Sequence, residues 1–130
     1  MELVDTNVLS ELLRPHPNRG VLRWRHEATA LALSVVTVEE IAFGFAAKPN
    51  ERVEREVWSL INDGCVVLGV DAAIATRAGQ LRGRLRREGS GRTAADMLIA
   101  ATALQHNLTL VTRNERDFAS TGVSVNNPFS

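Results

Sequence analysis

Two hydrophobic rhythms alternate along the chain, short β-branched runs and longer stretches of helical spacing. Leu3 and Val4 centre a short strand over residues 1–5 that ends on Asp5. Thr6 and Asn7 are placed to cap a helical segment from Val8 to Leu13, stopped by Pro15 and Pro17. Val21, Leu22 and Trp24 are the apolar members of a second short helix over Asn18 to Glu27. Ala30 to Val36 predicts a strand, and Thr37-Val38-Glu39-Glu40 has the spacing of a capping box opening a helix to about Ala47. Beyond the turn Lys48-Pro49-Asn50, Val53, Val57, Leu60 and Ile61 mark an amphipathic helix over Glu51 to Asn62, ended by Gly64.

The second half repeats the pattern. Cys65 to Val70 reads as a buried strand, Asp71 as the cap of a long helix from Ala72 to Glu88, and Gly89-Ser90-Gly91 as a flexible break. Thr93 to Ala103 is rich in strong helix formers, with Thr93 as N-cap and Met97, Ala100, Ala101 and Leu104 on one buried face. Asn107 closes that helix. Leu108 to Thr112 is a strand, residues 113–119 a loop or short turn, and Val123 to Val125 a short edge strand. Strands alternating with helices predict one α/β domain over 1–130, a central, mostly parallel, twisted β-sheet flanked by helices (α/β/α).

Composition narrows this picture little. At 130 residues, with 45% hydrophobic and 23% charged content, the chain is an ordinary globular domain. Its net charge is zero, so the molecule as a whole does not attract polyanions, but the basic residues are unevenly placed. Fourteen of the fifteen are Arg, and from Arg77 to Arg92 six Arg face one acid, Glu88. That stretch is a candidate anion-facing patch, a solvated helix face being the commoner outcome. Cys65 is the single cysteine and lies in an apolar run, which predicts a core thiol and excludes an internal disulfide. With no signal peptide and no bilayer-length apolar run, the chain reads as cytoplasmic.

In a parallel sheet, ligands bind beyond the carboxyl ends of the strands. That rule selects Asp5, at the end of the first strand; Glu40, in the helix after the second; Asp96, in the first turn of its helix; and Asp117, past the Leu108–Thr112 strand. Carboxylates brought together raise one another's pKa and cost stability unless a cation compensates. A hard divalent ion such as Mg²⁺ or Mn²⁺ is suited to such oxygen donors, and can activate water and neutralise a phosphoryl group. Each acid has a plainer reading beside this one. Asp5 can cap the following helix, Glu40 and Asp96 can complete capping boxes with Thr37 and Thr93, and Asp117 can pair with Arg113 or Arg116.

The segments carrying these acids resemble, in order, the motifs of PIN-domain proteins, and most closely the VapC/FitB-type toxins of bacterial type II toxin–antitoxin systems. Leu3-Val4-Asp5-Thr6-Asn7-Val8-Leu9-Ser10-Glu11 is similar to the N-terminal motif, and Ser34 to Glu40 followed by Gly44 to the second. Ala94-Ala95-Asp96-Met97-Leu98-Ile99-Ala100 is similar to the third and Leu110 to Phe118 to the fourth. The resemblance implies a Mg²⁺- or Mn²⁺-dependent endoribonuclease, usually a homodimer, neutralised by a cognate antitoxin in a heterotetramer or larger assembly. It places Asp5, Glu40 and Asp96 on three acidic positions. Glu40 is preferred to Glu39 by its spacing from Phe43 and Gly44, and a helix turn sets the two about 100° apart. The fourth position falls to Asp117, because the slot after the Thr112-Arg113 pair holds the neutral Asn114; Thr112 and Asn114 are its hydrogen-bonding support, and Thr6 and Asn7 are further supporting polar groups of the site.

Phosphate recognition then falls to Arg82, Arg84, Arg86, Arg87 and Arg92, which lead into the Asp96 helix, and to Arg113 and Arg116, which flank Asp117. The chain has no Tyr and few aromatics, so base stacking is poorly supplied and a structured RNA such as tRNA is the better-suited substrate. Trp24, Phe43, Phe45 and Trp58 read as core residues first, and as the lining of a groove for an antitoxin's amphipathic segment second. Two other classes compete with the nuclease. One is a catalytically inactive PIN-like module that binds RNA or protein; the other is a response-regulator-like domain with an acidic pocket, which lacks its expected Lys.

Overall fold

Five short strands form one wholly parallel sheet in the order β3-β2-β1-β4-β5. The computed structural model describes all 130 residues. The first half runs β1 (Glu2–Val4), α1 (Thr6–Leu12), α2 (Arg19–Glu27), β2 (Leu31–Ser34), α3 (Val35–Ala47) and α4 (Glu51–Gly64). The second runs β3 (Cys65–Leu68), α5 (Ala72–Arg87), α6 (Ala94–Gln105), β4 (Thr109–Val111), α7 (Glu115–Phe118) and β5 (Val125–Asn126). No helix is long and apolar enough to cross a membrane.

The pleat sends alternate side chains into two cores. Leu3, Ala32 and Leu110 face one core with α5, α6 and Phe118 of α7. Val4, Leu31, Leu33 and Val111 face the other with Val8, Leu9, Val21, Trp24, Ile41, Val57 and Ile61 from α1 to α4. Beyond its first turn α6 is almost wholly enclosed: Met97, Ile99, Ala100, Ala101, Thr102 and Ala103 are all buried. Its small residues let it pack closely against α5 and the sheet, which holds its N-terminus, and Asp96, at the sheet's edge.

Several local expectations are corrected. Asp5, rather than Thr6 or Asn7, caps α1, its carboxylate accepting from the Thr6 amide at 2.8 Å. The second strand ends at Ser34, whose hydroxyl accepts from the Val36 amide, so α3 begins two residues before Thr37. Thr37 is therefore inside the helix; its hydroxyl is buried and without a hydrogen-bond partner. The third strand is shorter than Cys65 to Val70 and lies at a sheet edge, leaving Val66 and Val67 exposed and Cys65 half-buried. Burial pushes the Cys65 thiol up from its ordinary value. Residues 115–118 close into the one-turn helix α7, and the last strand falls at Val125–Asn126. Trp24 is a core residue whose indole N–H donates to Glu2 at 3.0 Å, whereas Phe43 is 69% exposed.

The C-terminal residues close over the start of α2. Asn18, its N-cap, accepts from the amides of Gly20 and Ser130 at 2.9 and 3.1 Å. A Cβ at position 20 would run into the Pro128 carbonyl and come within 2.9 Å of the Ser130 amide, both backbone atoms. Gly20→Ala is therefore expected to destabilise the fold by about 1–3 kcal/mol, although Ala is the better helix former. Urea unfolding followed by Trp fluorescence measures the loss.

Candidate active site

The strand order reverses at β1, where the chain leaves for β2 and β3 on one side and returns to β4 and β5 on the other. The crevice between the carboxyl ends of β1 and β4 is thus the topological switch point, where open α/β sheets place ligands. Asp5 follows β1 and Thr112 follows β4, and a hydrogen bond joins them: the Thr112 hydroxyl donates to Asp5 Oδ2 at 2.8 Å. Asn7 Nδ2 donates to the same oxygen at 3.1 Å and to Thr112 Oγ1 at 3.3 Å, while Asn7 Oδ1 accepts from the Arg113 amide at 3.0 Å. Thr112 Oγ1 also accepts from the Asn114 amide at 3.1 Å. Asp5 is buried, and its carboxylate accepts from three donors that fix its orientation. Asp5 therefore does cap α1, and in doing so faces the crevice. Asn114 supports the site through its backbone; its side chain makes no capping bond to α7.

Glu40 lies on the other side of Asp5. Its Oε1 accepts from the Thr6 hydroxyl at 3.2 Å, a contact across 34 residues that a capping-box role does not need. Ser34 caps that helix instead, and Glu39 is exposed. Burial pushes the Glu40 carboxyl above its ordinary value, the Thr6 hydrogen bond opposes this, and the charges of Asp5, Asp96 and Glu39 add to it. Asp96 is half-buried and also raised, by burial first; Thr93 opposes the rise, Asp5 and Asp117 reinforce it, and Arg92 opposes it. Half of the Thr93 capping box is present, with the Asp96 amide donating to Thr93 Oγ1 at 3.1 Å.

Asp5, Glu40 and Asp96 therefore share one electrostatic neighbourhood, and Asp117 joins it through Asp96. Asp117 pairs with neither Arg113 nor Arg116; the one ion pair in the chain is Arg14–Glu11. Glu11, from the N-terminal motif, is buried away from this crevice and accepts from the Asn18 amide at 2.9 Å, a structural role that the motif alone did not separate from the site acids. No three His, Cys, Asp or Glu side chains are drawn together as a ready metal-ligand set. The donor chemistry nevertheless suits a hard ion. Mg²⁺ keeps most of its waters and is usually held by one or two carboxylates, and the site offers only oxygen donors.

The candidate Arg residues divide. Arg92 donates to the carbonyls of Asp117 and Arg116 at 3.0 and 3.1 Å, clamping α7. Arg84 donates to the Ser120 carbonyl, and Arg113 lies over the Phe129 ring, 4.6 Å from its centroid. Arg82, Arg86, Arg87 and Arg116 are exposed. A cavity of about 350 Å³ opens beside Glu40 and Thr6 between α1, α3 and α4, with Leu9, Leu13, Ile41, Phe45 and Val57 in its lining.

The pattern that defines the PIN domain matches residues 3–123. Toxin FitB of Neisseria gonorrhoeae is 37% identical, with 99% of each chain aligned. The tRNA(fMet)-specific endonuclease VapC of Shigella flexneri is 32% identical over 92% of this chain and 91% of that one. The crystal structure of FitAcB from Neisseria gonorrhoeae contains a chain that superposes with a TM-score of 0.86 at 35% identity, covering 98% of both. The crevice acids, the parallel sheet that gathers them and this end-to-end similarity agree: the chain belongs to the PIN-domain family, among relatives of the FitB and VapC type.

Proposed function

We propose that the protein is a divalent-metal-dependent endoribonuclease, the toxin of a type II toxin–antitoxin pair acting in the cytoplasm. The observation that carries this reading is the shared electrostatic neighbourhood at the switch point: the Glu40 carboxyl is raised by burial and by the charges of Asp5 and Asp96, and the Asp96 carboxyl by burial and by those of Asp5 and Asp117. Asp5 and Asp96, with Glu40 and Asp117 alongside, would hold Mg²⁺ or Mn²⁺, which when bound would supply charge neutralisation at the scissile phosphate and lower the pKa of a water. Asp5 is held in place for that task by Thr112, Asn7 and the Thr6 amide. Glu40, positioned by the Thr6 hydroxyl and raised in pKa, accepts the proton of the attacking water, a role favoured by a carboxyl nearer neutrality.

Arg116 is exposed next to Asp117 in sequence and is available to a phosphate. Phe43 is the only aromatic among the exposed large hydrophobic residues, so aromatic stacking on bases is scarce. Shape and backbone contacts then dominate, which favours a structured RNA such as tRNA; the Shigella relative's name points the same way. The antitoxin is the proposed occupant of the cavity, laying an amphipathic segment over Leu9, Ile41 and Phe45 toward Glu40. The working assembly is a homodimer of this chain bound by a cognate antitoxin, as the motif resemblance implies. Incubation with total RNA in Mg²⁺, with an EDTA control and mapping of the new ends, tests the nuclease reading. Discrete, EDTA-sensitive cuts are expected, and unchanged RNA would refute it.

A further inference from the structure

A second cleft, of about 380 Å³, lies between α5 and the loop entering α6, lined by Gly79, Arg82, Gly83, Arg86, Gly91 and Arg92, with no hydrophobic residue. Three features distinguish it from a merely solvated helix face. Gly79, Arg82, Gly83 and Arg86 fall at i, i+3, i+4 and i+7, so two guanidiniums and two bare stretches of backbone share one side of α5. Each Gly costs an exposed helix about 1 kcal/mol relative to Ala. A Cβ at Gly79, Gly83 or Gly91 would meet nothing within 4 Å, so packing within the chain does not call for any of them. Arg82 and Arg86 have no acid partner, because the chain's one ion pair is elsewhere. The cleft's inner end is Arg92, whose Nε donates to the Asp117 carbonyl at 3.0 Å and whose charge is felt by Asp96. Arg77 and Arg84 line a separate hollow with Gln80, Leu104 and Thr121, so the Arg-rich segment is not one patch.

We propose that this cleft is the track along which the sugar–phosphate backbone of the RNA runs as it flanks the acid site. The glycines let the strand approach the helix backbone, and Arg82 and Arg86 each contact a phosphate, one helical turn apart. The lining holds no aromatic side chain, and its guanidiniums are assigned to phosphates, so readout at the cleft is independent of sequence. The inference rests on the nuclease reading of the acids, yet it can fail separately from it.

The test is RNA binding by the full chain in EDTA, where no cleavage is required, using a structured tRNA probe across a salt series. Arg82→Gln with Arg86→Gln is expected to weaken binding on the order of tenfold at physiological salt and to lower the slope of log affinity against log salt by about 2. Gly83→Leu keeps the charges but fills the cleft; it should weaken binding while its melting temperature stays level or rises. Binding and salt slope equal to the parent's in both variants would overturn the proposal. So would unchanged RNA affinity with lost affinity for a protein partner, which would give the cleft to that partner. Cleavage by the parent in Mg²⁺ is scored independently, so a silent acid site and an idle cleft are told apart.

Discussion

Replacing Asp96 by Asn is expected to raise the melting temperature of the metal-free protein and to lower RNA cleavage by about 10³-fold or more. The two effects share one cause. Asp96 is half-buried beside the carboxylates of Asp5 and Asp117, and its carboxyl is held above its ordinary value, so its charged form strains the fold near neutral pH. Asn is nearly isosteric, removes the charge, and leaves the amide that donates to Thr93 in place. The same charge is what an activating cation needs; losing several kcal/mol of electrostatic stabilisation at a transferring phosphoryl group corresponds to the rate loss given. Thermal melts in EDTA and initial cleavage rates in Mg²⁺ check both halves. A lower melting temperature would mean that Thr93 and Arg92, which favour the charged form, outweigh burial and the neighbouring carboxylates.

The second large effect couples cation and pH. Glu40 and Asp96 have carboxyls raised from ordinary values of 4.5 and 3.8. The folded chain thus binds protons at these sites more tightly than the unfolded chain. Their stabilising contribution is fully present below pH 3.8 and is lost as pH rises through the raised folded values. On the proposed function, a divalent cation would bind the deprotonated acids and reverse that loss. With the ion at a hundred times its dissociation constant, stability rises by about 2.7 kcal/mol. For a domain of this length the melting temperature should rise by roughly 10 °C at neutral pH. Near pH 4 the same addition should have almost no effect. Scanning calorimetry at both pH values, with Mg²⁺ or EDTA, measures the difference, and a cation effect independent of pH would exclude these carboxyls as its origin.

The fold was legible in the sequence because its periodicities are strong and its strands end abruptly. Once strands and helices alternate, a parallel sheet follows, and the acids just past β1 and β4 must lie at one edge. What stayed hidden depends on contacts between distant residues. Thr112 orients Asp5 across 107 positions, and nothing near either residue signals the bond. The Thr37–Glu40 spacing matched a capping box, yet Ser34 took the cap and left Glu40 free for Thr6, because α3 starts where β2 ends without a loop. Apolar spacing on α3 could not separate the covered Ile41 from the exposed Phe43, since hydrophobicity alone does not say which apolar positions of a helix the fold covers. Counting Arg residues found the basic segment of α5 and the loop after it; only side-chain direction divided it into Arg84 and Arg92, engaged with the Ser120 carbonyl and α7, and Arg82 and Arg86, left facing a cleft.

The measurement that bears most directly on the central claim is the initial rate of RNA cleavage in Mg²⁺ by the parent chain and by Asp5→Asn with Asp96→Asn. Both should melt as folded proteins, and both rates are to be taken with and without EDTA. The acid-site account predicts EDTA-sensitive cleavage by the parent and none detectable from the double variant. Cleavage by the double variant at the parent's rate would contradict it.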